Sequence, residues 1–215
     1  MVRMIAREGL KIIFTAFVLS FILLMSALYF DLSFLMVLFW IVFGFFLFSM
    51  WFFRDPERKT PAGENLIVSP ADGKIVAIRP EKDDDIGNAV RVSIFMSIFS
   101  VHVNRIPLGG IVKNMEYSKG RFLSAMKPEA SFENEHNTVL LKNEKINLKF
   151  SQIAGLIARR IVSYLHIDGE VKTGERCGLI KFGSRVDVVV PETVKINVQI
   201  GDKVTAGVSI IGVIQ

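Results

Sequence analysis

Two stretches of this chain leave little choice of environment. Residues 12–30 and 32–53 contain no charged side chain, and only Asp31 separates them. Each run is close to the ~20 residues that an α-helix needs to cross the hydrocarbon of a bilayer. A cleaved signal peptide would show one shorter apolar core followed by small residues. A soluble chain of 215 residues offers little core in which to hide two such Phe-rich segments. The pattern predicts a transmembrane helical hairpin, with two buried helices of a soluble core as the competing reading.

The flanking charges orient the hairpin. Arg3, Arg7 and Lys11 precede it, and Arg54, Arg58 and Lys59 follow it. The positive-inside rule then puts both ends in the cytoplasm. The expected location is the cell membrane, with everything after the hairpin on the cytoplasmic side. The formal charge of +5 reads as attraction to an anionic membrane surface. No basic patch is interleaved with base-stacking aromatics, so no nucleic-acid partner is expected. The single Cys177 excludes an intrachain disulfide framework and fits a reducing compartment. No Cys/His cluster has zinc spacing, no metal is expected, and neither a Gly-Lys-Ser/Thr phosphate loop nor a dinucleotide fingerprint occurs.

Pro56 disfavours helix at Asp55, and Arg54 to Arg58 ends the second span. The division is therefore 1–59, a basic lead and hairpin, and 60–215, a second domain. That domain reads as short strands and turns: 66–68, 74–78, 90–99, 111–117, a hairpin of 138–141 with 146–150, then 178–182, 186–190, 194–199 and 208–214. Residues 81–85 read as a solvated acidic hairpin tip, 122–137 as a long polar loop, and 153–162 as a short helix or another strand. Many short strands with Gly-rich turns predict a mainly β sandwich or barrel. The turn Ile200 to Gly207 resembles the one before the last strands of biotinyl and lipoyl carrier domains.

The chemical candidates start from Gly183-Ser184, between strand-like runs. The Ser184 hydroxyl follows the carbonyl it would attack, and Gly183 adds no Cβ to hinder it. Given a base and oxyanion donors, the acyl group can shift from nitrogen to oxygen. An ordinary strand-end Gly-Ser is the plainer reading. Of the three histidines, His102 stands just past an apolar strand, His136 in a polar loop where exposure is expected, and His166 before Asp168-Gly169. Asp72 occupies a Pro-Ala-Asp-Gly turn. An Asp can orient a His that activates a Ser from anywhere in a sequence, but spacing does not show that 72, 102 and 184 meet. Met126-Lys127 is similar to the Met-Lys of biotin carriers, though it precedes Pro128 in a polar loop.

Five pieces in order carry a resemblance: Phe53-Arg54-Asp55-Pro56, Ser69-Pro70-Ala71-Asp72-Gly73, Val101-His102-Val103-Asn104-Arg105-Ile106-Pro107, Glu133-Asn134-Glu135 through Asn137, and Phe182-Gly183-Ser184-Arg185-Val186-Asp187. Together the chain resembles the phosphatidylserine decarboxylases, in the short membrane-anchored form of bacteria and archaea. The longer members have Leu-Gly-Ser-Thr at the cleavage point and a second His where Arg105 stands here.

The resemblance implies a self-processing enzyme. Asp72 would orient His102, and His102 would deprotonate Ser184 for attack on Gly183. The catalytic domain, 60–215, would be cut between Gly183 and Ser184, giving a β chain of 1–183 and an α chain of 184–215. Ser184 would become a covalent pyruvoyl group, the only cofactor. Its carbonyl would form a Schiff base with phosphatidylserine or archaetidylserine, and loss of CO2 would give the ethanolamine phospholipid. His102 is also the candidate to protonate the resulting carbanion. The partners would be the membrane and its lipid; whether copies associate is left open. The alternative is a non-catalytic, membrane-tethered carrier or adaptor of the biotinyl/lipoyl-like fold.

Overall fold

The structure is a computed structural model that describes residues 4–121, 123–124, 130–155, 160–181 and 184–215, apart from the side chain of Phe132. It contains two compact units, Met1–Glu57 and Arg58–Gln215.

In the first unit, α1 (Arg7–Phe30) and α2 (Ser33–Phe52) form an antiparallel pair. Asp31 turns the chain in the left-handed region, φ 53°, and its amide closes on the Ala27 carbonyl. That conformation is uncommon for a residue with a Cβ, and Asp is among those that tolerate it. Gly9, Ala16, Ser20 and Ala27 make the buried face of α1, so small side chains let the two backbones approach. Phe14, Phe21, Trp40 and Ile41 point outward and exposed. Both helices are long and apolar enough to cross a membrane. At the base of the pair the Ala6 amide bonds the Phe53 carbonyl and the Asp55 amide bonds the Met4 carbonyl.

The second unit is mainly β, as the turn-rich pattern predicts. Its strands are β1 (Leu66–Val68), β2 (Gly73–Asp83), β3 (Gly87–Met96), β4 (Val103–Arg105) and β5 (Gly110–Ser118). After a one-turn helix, α3 (Ala130–Glu133), come β6 (His136–Lys142), β7 (Asn147–Ala154), β8 (Ile161–Ser163), β9 (Glu170–Val171), β10 (Arg176–Ile180), β11 (Ser184–Pro191), β12 (Lys195–Ile196), β13 (Lys203–Val204) and β14 (Ile210–Val213). The main sheet has the order β13-β2-β3-β11-β7-β6-β5-β9; β1-β14-β12 and β4-β10-β8 form two smaller sheets. Every described pairing between these strands is antiparallel.

The main sheet curls on itself. Lys149 of β7 reaches Asp83 and Asp85 at the β2–β3 turn, although β3 and β11 lie between the two strands in the sheet. The acidic tip expected to be solvated is therefore tied down, with the Asp83 side chain 16% exposed. Inside the curl, Ile75, Ile94, Leu148, Phe150, Val186 and Val188 are fully or almost fully buried. The stretch expected as a helix or strand divides: Ile153 and Ala154 end β7, Ile161–Ser163 form β8, and 156–159 lie outside the described residues. The expected long loop is shortened by α3 and by His136, which begins β6. The turn from Ile200 to Gly207 includes β13, and the architecture is compatible with the biotinyl/lipoyl likeness.

Candidate active site

β11 is the central strand of the site. It pairs with β3 on one side and β7 on the other, and all its residues from Ser184 to Val190 are buried. The alternation of a strand sorts them. Val186, Val188 and Val190 join the core, and Ser184 shares their face; Arg185 and Asp187 take the other.

Ser184 stands opposite Met96 on β3 and Ala154 on β7. Its hydroxyl donates to the Met96 thioether at 3.4 Å, a weak acceptor. Asn104 Nδ2 donates to the same sulfur at 3.6 Å. Gln152 Nε2 donates to Asn104 Oδ1 at 2.9 Å, and Asn137 Nδ2 to Gln152 Oε1 at 3.3 Å. Three buried amides are thus aligned head to tail, with the –NH2 end of Asn104 on the sulfur that Ser184 also bonds. Gly178 permits the arrangement. It has φ 153°, and a Cβ there would lie 2.1 Å from the Val162 carbonyl oxygen and 3.2 Å from Gln152 Nε2.

His102 is 2% exposed, between β3 and β4. Its Nδ1 bonds the Ser100 carbonyl at 2.9 Å. A carbonyl only accepts, so in the neutral ring Nδ1 carries the proton and the lone pair is on the buried Nε2. The His102 carbonyl in turn accepts from the Ile180 amide at 3.4 Å. His102 therefore lies against the strand that leads, four residues later, into Ser184. Gly183 itself lies outside the described residues, as do Phe182, Met126 and Lys127.

Asp72 is placed elsewhere than the Ser-His-Asp expectation would put it. Both carboxylate oxygens accept from Arg58, at 2.5 and 2.8 Å, and one also accepts the Ala206 amide. No described hydrogen bond joins Asp72 to His102. The turn containing Asp72 does touch β4, because the Arg105 amide bonds the Pro70 carbonyl at 2.8 Å. Arg105 and Arg58 line a cleft of about 600 Å³ together with Lys172 and Glu175.

On the opposite face of β11 is a buried ionic cluster. Arg185 Nε faces Asp187 Oδ1 at 2.9 Å, Arg91 reaches Asp187 at 3.3 Å, and Ser131 of α3 donates to Asp187 at 2.7 Å. Ser131 also accepts from Arg185. Burial pulls the Arg185 guanidinium down, and the charge of Arg91 adds to that, against the pull of Asp187. Burial pushes the Cys177 thiol far up, so it is no nucleophile at neutral pH. His136, expected to be exposed, is half-buried with Nδ1 on the Asn134 carbonyl at 2.8 Å, and His166 is exposed.

Sequence reasoning missed Met96, Gln152 and the role of Asn104. Asn104 lies inside a motif singled out for its histidine. Gln152 follows Ser151 in a strand of mixed polarity, so nothing in its residue type marked it out.

Comparison with known proteins matches the family model for phosphatidylserine decarboxylase over residues 45–212. Similar proteins include one from Syntrophus aciditrophicus, 50% identical over 173 residues, which covers 77% of this chain and 79% of the relative. One from Chlorobium chlorochromatii is 52% identical over 169 residues, with 78% and 80% covered. One from Geobacter metallireducens is 44% identical over 170 residues, with 78% of each covered. Each of these relatives is named a phosphatidylserine decarboxylase proenzyme.

Proposed function

The chain belongs to the phosphatidylserine decarboxylase family, and from that premise we propose that it is a proenzyme that cuts itself between Gly183 and Ser184 and decarboxylates a serine phospholipid. The observation that carries the reading is the Nδ1 bond of His102 to the Ser100 carbonyl, which leaves Nε2 as the basic atom of a residue whose backbone carbonyl bonds the strand running into the cleavage point.

The residues do the following. His102 Nε2 takes the Ser184 hydroxyl proton, and Oγ attacks the Gly183 carbonyl carbon. The peptide C–N bond breaks, leaving an ester. Removal of the Ser184 Cα proton then breaks the Cβ–Oγ bond, so Gly183 departs as a carboxylate that carries the former Oγ. Water displaces the nitrogen left at position 184 as ammonia, and Cβ becomes a methyl. The surroundings fit the pyruvoyl group so made: the atom beside Cβ's oxygen is a thioether, which accepts a methyl as readily as a hydroxyl. That group supplies a carbonyl that captures the substrate amine and takes up the electron pair released with CO2.

Asn104 holds an amide donor toward position 184. Asp72 acts on His102 at one remove, by fixing with Arg58 the turn on which β4 hangs. The apolar hairpin anchors the chain in the membrane that contains the substrate, with both termini on the cytoplasmic side. Ester-linked and ether-linked lipids present the same headgroup to this chemistry. A carrier role without catalysis has no support comparable to the family match.

The test is a denaturing gel of the natural chain beside Ser184→Ala. The natural chain should resolve into 1–183 and 184–215, and the variant should remain whole and inactive. A natural chain that stays whole would overturn the reading.

A further inference from the structure

The end of the main sheet that holds Ser184 is defined by register. Met96, Ser184 and Ala154 stand level across β3, β11 and β7, and Ile153, His136 and Ser118 continue the line through β6 and β5. The connection leaving β3 there is a tight turn, Ser97 to Ser100. The Ser100 amide bonds the Ser97 carbonyl at 3.0 Å, the Phe99 amide bonds Ser97 Oγ at 3.3 Å, and the two hydroxyls lie 3.4 Å apart. The corners of such turns usually carry Gly, Pro, Asn, Asp or Ser. Here they carry Ile98 and Phe99, 36% and 66% exposed. These residues put adjacent exposed apolar surface beside the site, where turns favour small or polar side chains.

The rim supplies the charge. Lys119, Arg121 and Arg160 are exposed on neighbouring connections at this end, and Lys181 is half-buried on the approach to Ser184. Among the described residues of these connections the exposed acid is Glu133, already paired with Arg121; Glu135 is buried. An apolar tip with cations on the neighbouring connections complements an anionic bilayer, whose surface attracts Lys and Arg while its acyl region accepts Phe and Ile.

We propose that Ile98 and Phe99 insert into the surface of an anionic phospholipid bilayer and so dock the mouth of the active site on the lipid. The proposal rests on the reading of the chain as a lipid decarboxylase and adds how the substrate is presented. It also couples docking to chemistry, because the Ser100 carbonyl of the same turn holds His102 Nδ1.

The experiment uses the full chain in bilayers of phosphatidylglycerol and phosphatidylcholine. A nitroxide is attached at Phe99→Cys and, as the water-exposed reference, at Ile200→Cys. The native Cys177 is buried and the unsubstituted chain serves as the blank. The Phe99 label should relax more with oxygen than with a water-soluble nickel chelate, and the Ile200 label should do the reverse. A Phe99 label that behaves like the Ile200 label would overturn the proposal. So would one shielded from both agents, which would mean a protein contact. In a second arm, Ile98→Ser with Phe99→Ser should still cut itself to completion while KM for bilayer phosphatidylserine rises about ten- to a hundredfold. An unchanged KM would count against insertion. Failure of the natural chain to cut itself would count against the pyruvoyl reading alone, and the depth comparison would still decide the tip.

Discussion

A histidine needs something to fix its tautomer, and in this chain a backbone carbonyl does it. Ser100 holds Nδ1 of His102, so no carboxylate has to touch the ring. That role has no signature in residue types, and the assignment of Asp72 came from the family resemblance. Asp72 is engaged by Arg58, a partner fourteen positions upstream whose approach depends on the fold. The expected consequence of His102→Ala is a slowing of self-cleavage by about 10²- to 10⁴-fold, the usual worth of a positioned base. His136→Ala, whose ring is engaged by the Asn134 carbonyl, should cut within about twofold of the natural rate; the comparison of the two rates is read from the half-time of the precursor band. A His102→Ala chain that matures normally would mean that the base is another group.

At the scale of elements, the strands were legible because Val186, Val188 and Val190, or Ile94 and Met96, alternate or cluster as buried strands do. The local hairpin of 138–141 with 146–150 was legible, as β6 and β7 pair, but the pairing of strands distant in the chain was not. The runs on either side of Gly183-Ser184 look like neighbours, yet β10 belongs to a small sheet with β4 and β8 while β11 enters the main sheet. Arg185 and Asp187 alternate with core valines, on a face that Ser131 of α3 helps to cover. The acidic tip misled for the same reason, since its partner Lys149 is 66 residues away. Burial raises the Asp83 carboxyl, but the bonds from Lys149 and from the amides of Asp85 and Ile86 outweigh this and hold it below its ordinary 3.8. Lys149 is held above its ordinary 10.5 by the same pair and Asp85, against burial. A depressed carboxyl stabilises above its unfolded pKa and loses that as pH falls through the folded one. A raised amine stabilises below its unfolded pKa and loses that as pH rises through the folded one. Lys149→Ala should therefore lower Tm by about 2–4 °C, roughly 1 kcal/mol for a partly exposed pair. The difference should be flat between pH 5 and 9 on the order of these limits, shrink in more acid solution, and leave self-cleavage unchanged. A difference that vanished at pH 6 would assign the effect to other groups.

The molecule as a whole joins an apolar hairpin to a curled β domain. Both helices suit a bilayer by length and composition. The charge asymmetry makes orientation testable: a reporter at residue 31 should label from outside intact cells, and reporters at either terminus should not. Outside labelling of the C-terminus would contradict this orientation. The hairpin and the mainly β domain were readable because each depends on local composition, whereas the line of amides from Asn137 through Gln152 to Asn104 exists only once three strands, β6, β7 and β4, have assembled.

The central claim is that Ser184 loses its nitrogen and gives its hydroxyl oxygen to Gly183. The mass of the small chain from the purified natural protein tests this directly. The account predicts a chain that begins at position 184, resists Edman chemistry, and is lighter than the serine-initiated peptide 184–215 by one ammonia. A small chain beginning with ordinary serine, or a chain found only at full length, would contradict it.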